Sequence, residues 1–177
     1  MSERLLVVGG TGFIGRNLVL NAIKHGFEIV VLSLHKPSNN KMVEGVKYIQ
    51  LDLTQSELKK GLLGDSFDYV VNLSGYIDHC EFLEGGREII QAHFDGVLNL
   101  IQLLDWTKLK RFVQIGSSDE YGNHPAPQHE EMRELPISPY SLGKVASSQF
   151  LQMLYRTQGF PAVIIRLFLT YILLLHQ

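Results

Sequence analysis

The chain has 177 residues, 45% hydrophobic and 19% charged, which suits one globular domain with a single large core and excludes a disordered chain. A formal net charge of −2, with no basic stripe, excludes general binding to nucleic acid. Cys80 is the only cysteine, so there is no internal disulfide framework and no cysteine cluster for zinc, and a reducing compartment is expected.

The N-terminus "MSERLLVVGG" enters an apolar strand without the basic region and cleavage site of a signal peptide, so the cytoplasm is the expected location. In chain order, "RLLVV" (4–8), "EIVVLS" (28–33), "VKYIQ" (46–50), "YVVNLS" (69–74), "RFVQIG" (111–116) and "AVIIRLF" (162–168) read as strands. Their hydrophobicity is continuous rather than alternating, which predicts burial on both faces, as in a parallel sheet. Helices are expected over 13–25, about 55–62, about 86–106 and 140–158. The βαβα order predicts an α/β fold with a doubly wound parallel sheet and helices on both faces. In 86–106 the apolar residues at helical spacing, Ile89 to Leu104, read as core rather than a ligand stripe. Residues 122–139 hold four prolines without periodicity and read as a long loop, from which Ser138 and Pro139 start the last helix. Near the C-terminus "AVIIRLFLTYILLL" is 14 residues long and contains Arg166, too short and too charged for a spanning helix of about 20 residues.

The first strand is followed by "GGTGFIG", with glycines at 9, 12 and 15 before a helix. Such spacing arises by chance in roughly one shuffled sequence in eight, but its place between strand and helix marks a pyrophosphate cradle. The first glycine permits the turn, Gly12 admits the anion to the backbone, and Gly15 lets helix and strand pack closely. Free N–H groups at the helix start complete the anion site. The acidic residue that would bind a ribose 2′-hydroxyl about 20 positions on is replaced by Ser33, with His35 and Lys36 following. A 2′-phosphate paired by Lys36 or Arg16 is therefore accommodated, and NADP is expected in preference to NAD. "SPYSLGK" places Tyr140 and Lys144 four apart on one helical face; a shuffled chain yields roughly 0.36 such pairs, so the pair gains meaning only from its context. His124, His129, Glu130 and Glu131 lack a metal-ligand spacing and read as a solvated loop, so no metal is expected. Asp78, His79 and Cys80 either face a substrate beyond the fourth strand or pack the loop.

Taken together, "GGTGFIG" (9–15), "LDL" (51–53), "NLSG" (72–75), "IGSSDEYG" (115–122), "PYSLGK" (139–144) and "RLFLTY" (166–171) resemble the extended short-chain dehydrogenase/reductases, in the NAD(P)-dependent nucleotide-sugar epimerase/dehydratase branch. The resemblance implies a Rossmann-type fold in which Gly9, Thr11, Gly12, Phe13, Ile14, Gly15, Ser33, Lys36, Asp52, Leu53, Leu73, Ser74 and Gly75 bind the cofactor, with Asp52 at the adenine. Ser117 is implied to bind the substrate oxygen, with Ser118 a second substrate ligand, and Tyr140 to contact the cofactor and exchange a proton. Lys144 is implied to bind the nicotinamide ribose and lower the phenol pKa from ~10. A cation about 4 Å away favours the phenolate by up to about 4 kcal/mol at an effective dielectric of ~20, before desolvation.

"SSDEYG" is similar to "SSEEYG" of reductases of nucleotide-linked 4-keto-6-deoxy sugars, which makes 4-keto reduction the first expectation and 4-epimerisation or 4,6-dehydration the alternatives. A nucleotide sugar and a second copy of the chain are the expected partners, with neither nucleic acid nor membrane. Three departures stand out: His93 replaces the asparagine of "NVxGTxNLL", Leu169 replaces the asparagine after "RLF", and "ILLLHQ" replaces a Gly-Pro-Gly turn. The expected organisation is a cofactor domain over 1–171 and an atypical tail over 172–177, without the substrate-binding region. A non-catalytic dinucleotide binder, or an inactive short product, is the rival reading.

Overall fold

The computed structural model describes residues 2–38, 42–64 and 66–170. The expected tail, and Tyr171 at the end of "RLFLTY", lie outside the described residues. Six strands form one sheet: β1 (Arg4–Val8), β2 (Glu28–Ser33), β3 (Lys47–Gln50), β4 (Tyr69–Asn72), β5 (Arg111–Ser117) and β6 (Ala162–Leu167). Their order is β3-β2-β1-β4-β5-β6, and every pairing is parallel. Alternate residues of the central strands enter two cores. Leu6, Val8, Val30, Leu32, Val70 and Phe112 pack with Val97, Leu100 and Ile101 of α3 (Gly96–Leu103) and Leu151 and Leu154 of α4 (Pro139–Gln158). Leu5, Val7, Ile29 and Val31 pack with Val19 and Ala22 of α1 (Phe13–Lys24) on the opposite face. The doubly wound Rossmann-type arrangement follows, and its strand order reverses between β1 and β4, where such sheets open a ligand crevice at their carboxyl ends.

Two helix expectations are corrected. Residues 55–62 form turns instead, with Gly61 and Gly64 at φ of 92° and 79°. Asn99 Nδ2 donates to the carbonyls of Leu53 and Gln55 at 2.7 and 3.1 Å, taking acceptors that a helix start would use. The span 86–106 is divided into α2 (Gly86–Ile90), a π-helical turn (Gln91–Asp95) and α3, and ends at Leu103. The extra residue in the π turn widens the spiral at His93, whose side chain is buried. By contrast the start of α4 is as expected: Ser138 accepts from Ser141 N at 3.1 Å, with Pro139 at the first helical position. Among the described residues no helix is long and apolar enough to cross a membrane.

Candidate active site

The crevice begins in the turn after β1. Gly9 adopts φ of 77°, donates its N–H to Leu32 O at 2.8 Å and accepts from Gly12 N at 3.0 Å. A Cβ on Gly9 would stand 2.9 Å from Leu73 O, and one on Gly15 2.4 Å from Gly9 O, so strand, turn and helix touch backbone to backbone. No side chain caps α1 at Gly12, which leaves its first N–H groups for an anion.

Beyond this turn lies a cleft of about 360 Å³ lined by Gly9, Thr11, Gly12, Ser33, Asp52, Leu53, Leu73, Ser74 and Gly75, together with Tyr76 and Ala92. Of the remaining cofactor candidates, Gly15 is buried beneath the turn, Ile14 is half-buried and Phe13 points to solvent. Lys36 lies outside the cleft, in an adjoining hollow of about 240 Å³ shared with Arg16, His35, Ser38 and Tyr48. Ser33 donates to its neighbour's carbonyl, His35 O, at 2.8 Å, while Asp52 accepts from the N–H and hydroxyl of Thr54 at 2.9 and 2.7 Å. Asn72 and Gln114 organise the wall: Asn72 Nδ2 donates to Gln114 Oε1 at 2.8 Å, and Asn72 Oδ1 accepts from Ser74 N at 3.1 Å and Ser74 Oγ at 2.6 Å. A backbone cradle without room for Cβ atoms at Gly9 and Gly15, opening into a mostly apolar cleft, fits a dinucleotide.

Outside the lining of that cleft, β5 and α4 bring Ser117, Tyr140 and Lys144 together. All three are buried, and the Ser117 side chain lies close enough to the Tyr140 phenol to favour its ionised form. Lys144 Nζ lies 5.8 Å from the Tyr140 ring centroid and donates to Ile115 O at 3.0 Å. Burial pushes the Lys144 pKa down to about 8, against the Glu120 carboxylate that holds it up. The expected lowering of the Tyr140 pKa is corrected: burial raises it, the Ser117 side chain works downward, and Asp119 and Glu120 raise it further. The ammonium lies over the ring and on a carbonyl rather than at the phenol oxygen.

Two imidazoles flank Tyr140. His93 lies edge-on at 4.9 Å between ring centroids, and His79 at 5.4 Å. His93 Nε2 donates to Tyr76 O at 2.8 Å, and its ring fills the space a Cβ on Gly75 would need, 2.2 Å from Cε1. His79 meets the Asp119 carboxylate at 3.5 Å, so the loop after β4 does reach the site. Ser118, Asp119 and His79 line a hollow of about 520 Å³ with Gly122, Gln128, Ile137, Ser138 and Phe168. Among the described residues no cluster of His, Cys, Asp or Glu is placed to hold a metal. Reading the residues alone overlooked Glu120 and Arg166. A charged residue inside the apolar run "AVIIRLF" was the available signal, because a buried cation requires a partner.

These features define a Rossmann-type α/β protein with a glycine-rich turn at the switch point of its sheet and a buried group of Ser117, Tyr140 and Lys144. The model of the NAD dependent epimerase/dehydratase family matches residues 5–171, and the chain belongs to that family. It is 25% identical to a UDP-glucuronate 4-epimerase of Thermodesulfobacterium geofontis, over 94% of this chain and 55% of the relative. It is 28% identical to a dTDP-glucose 4,6-dehydratase of Xanthomonas campestris pv. campestris, over 89% and 50%. Among solved structures, the UDP-Glc/GlcNAc 4-epimerase of Campylobacter jejuni superposes with a TM-score of 0.82 at 25% identity, covering 93% of this chain and 53% of that one. The UDP-glucuronic acid 4-epimerase of Bacillus cereus in complex with NAD shares the fold, with a TM-score of 0.79 at 21% identity, covering 92% and 56%. The chain thus spans about half the length of the curated relatives it matches.

Proposed function

We propose that the chain is the cofactor-binding and proton-transfer part of an oxidoreductase acting at C4 of a nucleotide-linked sugar. The observation that carries this reading is the meeting of Ser117, Tyr140 and Lys144 at the carboxyl end of the crevice. A bound nicotinamide supplies or accepts the hydride at C4. Ser117 hydrogen-bonds the C4 oxygen, and the Tyr140 phenol gives up its proton to that oxygen in reduction or takes it in oxidation. Lys144 keeps a positive charge beneath the pair and holds the nicotinamide ribose. Reduction of a 4-keto-6-deoxyhexose is the first reading, on the strength of "SSDEYG". The second is 4-epimerisation, favoured by the 4-epimerases among its relatives. We further infer a cytoplasmic protein that pairs with a second copy.

For the cofactor, NADP is favoured over NAD by Ser33 in place of a carboxylate and by the hollow holding Lys36 and Arg16. Titration should show NADPH binding at least about tenfold tighter than NADH, a gap one paired phosphate readily supplies. The opposite preference, matching the NAD of the Bacillus cereus relative, rejects it.

The activity is tested by following cofactor absorbance with dTDP-linked 4-keto-6-deoxyhexose, and by product analysis with UDP-glucose and UDP-glucuronate. Tyr140→Phe is expected to lower turnover by about 10²–10⁴ while leaving cofactor affinity intact. Undiminished turnover removes Tyr140 from the chemistry.

A further inference from the structure

Glu120 is wholly buried, and the chemistry above leaves it without a task. It lies in the 3-10 turn Ser118–Tyr121 that follows β5. Its Oε1 accepts from Ser117 N at 3.0 Å, and its Oε2 accepts from Arg166 Nε at 2.9 Å. Gly116 makes room for it, since a Cβ there would stand 2.4 Å from Oε1. Arg166 reaches in from β6, stacks 4.8 Å from the Tyr121 ring centroid, and bonds Glu134 of the 122–138 loop through Nη2. The same loop is tied a second time, by Leu135 N donating to Glu120 O at 3.0 Å.

A buried ion pair is a poor way to gain stability, because desolvation offsets most of the attraction and apolar residues of similar volume often do as well. Its location suggests a different use. Ser117 is held at both ends of the turn: Glu120 accepts from its N–H, while its own Oγ accepts from Asp119 N at 3.2 Å. That hydroxyl is the one beside the Tyr140 phenol, where it favours the ionised form.

We propose that Glu120, clamped by Arg166, is a positioning residue that fixes Ser117 against Tyr140 and ties the 122–138 loop to the proton-transfer site. The proposal rests on reading Ser117 and Tyr140 as that site. The charged and titratable groups around Tyr140 are His79 from the loop after β4, His93 from the π turn, Asp119 and Glu120 from the 3-10 turn, and Lys144 from its own helix. Those acting on Glu120 are Arg166 and Lys144. Glu120 is therefore the buried carboxylate whose field reaches both members of the proton-transfer pair.

The test uses the full chain with ring-labelled tyrosine, the Tyr140 resonance being assigned from Tyr140→Phe. Removing the negative charge in Glu120→Gln should lower the Tyr140 titration midpoint and speed exchange of the Ser117 amide, with cofactor affinity held within about twofold. Arg166→Lys, which retains both the Glu120 charge and a cation beside it, should keep most of the wild-type midpoint. Glu134→Gln should raise hydrogen exchange over 122–138 and leave the midpoint in place. A folded Glu120→Gln protein with wild-type midpoint and amide exchange overturns the positioning role, and unchanged loop exchange in Glu134→Gln overturns the tie to the loop. If Glu120→Gln does not fold, the neutral pair Glu120→Gln/Arg166→Gln carries the same expectation with a smaller shift. A shifted midpoint alongside undiminished turnover in Tyr140→Phe would sink the functional reading and keep the placement of Glu120.

Discussion

The His93 imidazole stands edge-on to the Tyr140 ring, with 4.9 Å between centroids and 89° between planes, while its Nε2–H is engaged by Tyr76 O. Burial, reinforced by the Lys144 ammonium and opposed by the Tyr76 hydrogen bond, pushes its pKa down to about 4.

This burial makes stability depend on pH. An unfolded histidine titrates near ~6.5, so between that pH and about 4 the unfolded chain binds a proton that the folded chain refuses, and stability falls as pH falls through the window. The loss from this residue alone is about 2–3 kcal/mol at pH ~4.5. Urea titrations of wild type and His93→Asn at neutral and acid pH check it: the variant should lose about 2 kcal/mol less between the two. Parallel losses would show that His93 accepts its proton without unfolding.

Gly15 and Gly12 should respond differently to alanine. At Gly15 the added Cβ meets Gly9 O at 2.4 Å and Gly10 Cα at 2.6 Å, backbone atoms that cannot yield without opening the turn. Gly15→Ala is expected to cost about 1–3 kcal/mol and weaken cofactor binding at least about tenfold. At Gly12 the nearest obstacle is Gly9 O at 3.3 Å, and the residue lines the cleft. Gly12→Ala should therefore stay within about 1 kcal/mol of wild type while losing cofactor affinity. Equal stability of the two variants in denaturant would contradict the packing described for Gly15.

Asn72→Ala strands the Gln114 amide oxygen in the core and releases Ser74 from its acceptor. A loss of about 1–3 kcal/mol is expected, with weaker cofactor binding because Ser74 lines the cleft. Asn72→Leu/Gln114→Leu should recover stability but not affinity. Calorimetry on both proteins separates the effects, and recovery of affinity would free Ser74 of any dependence on Asn72.

β6 is an edge strand, and its Val163 and Ile165 are 42% and 43% exposed. Unpaired edges carrying apolar side chains template self-association. Val163→Thr/Ile165→Thr should leave stability within about 1 kcal/mol and reduce light scattering in concentrated solution. Unaltered scattering would place any self-association elsewhere.

The strands were legible because each is a short, largely apolar run, but burial on both faces holds for β1 and β2 and not for the edge strands β3 and β6; the cleft was legible because only glycine tolerates the contacts at positions 9 and 15. The helix expected at 55–62 was not, since Leu58 and Leu62 keep helical spacing while Asn99, 44 residues from Gln55, takes the carbonyl. Nothing in "QAHFD" announces a π turn, whose extra residue is set by tertiary packing rather than propensity. The tyrosine's environment was misjudged for a related reason. Four-residue spacing puts Lys144 near the Tyr140 ring, but the direction of the ammonium is decided by Ile115 O, on another element.

The Glu120–Arg166 contact joins residues 46 apart in the chain, and the arginine is made second. At about 5–20 residues per second, synthesis of that interval takes about 2–9 s, during which the carboxylate lacks the guanidinium that pairs with it. β5 and the turn behind it can pair and collapse in that time, yet they cannot take their final form around an unpartnered charge. The nascent chain therefore completes the surroundings of Ser117 only when β6 leaves the ribosome, and any product ending before Arg166 should be recognised by proteases as unfinished.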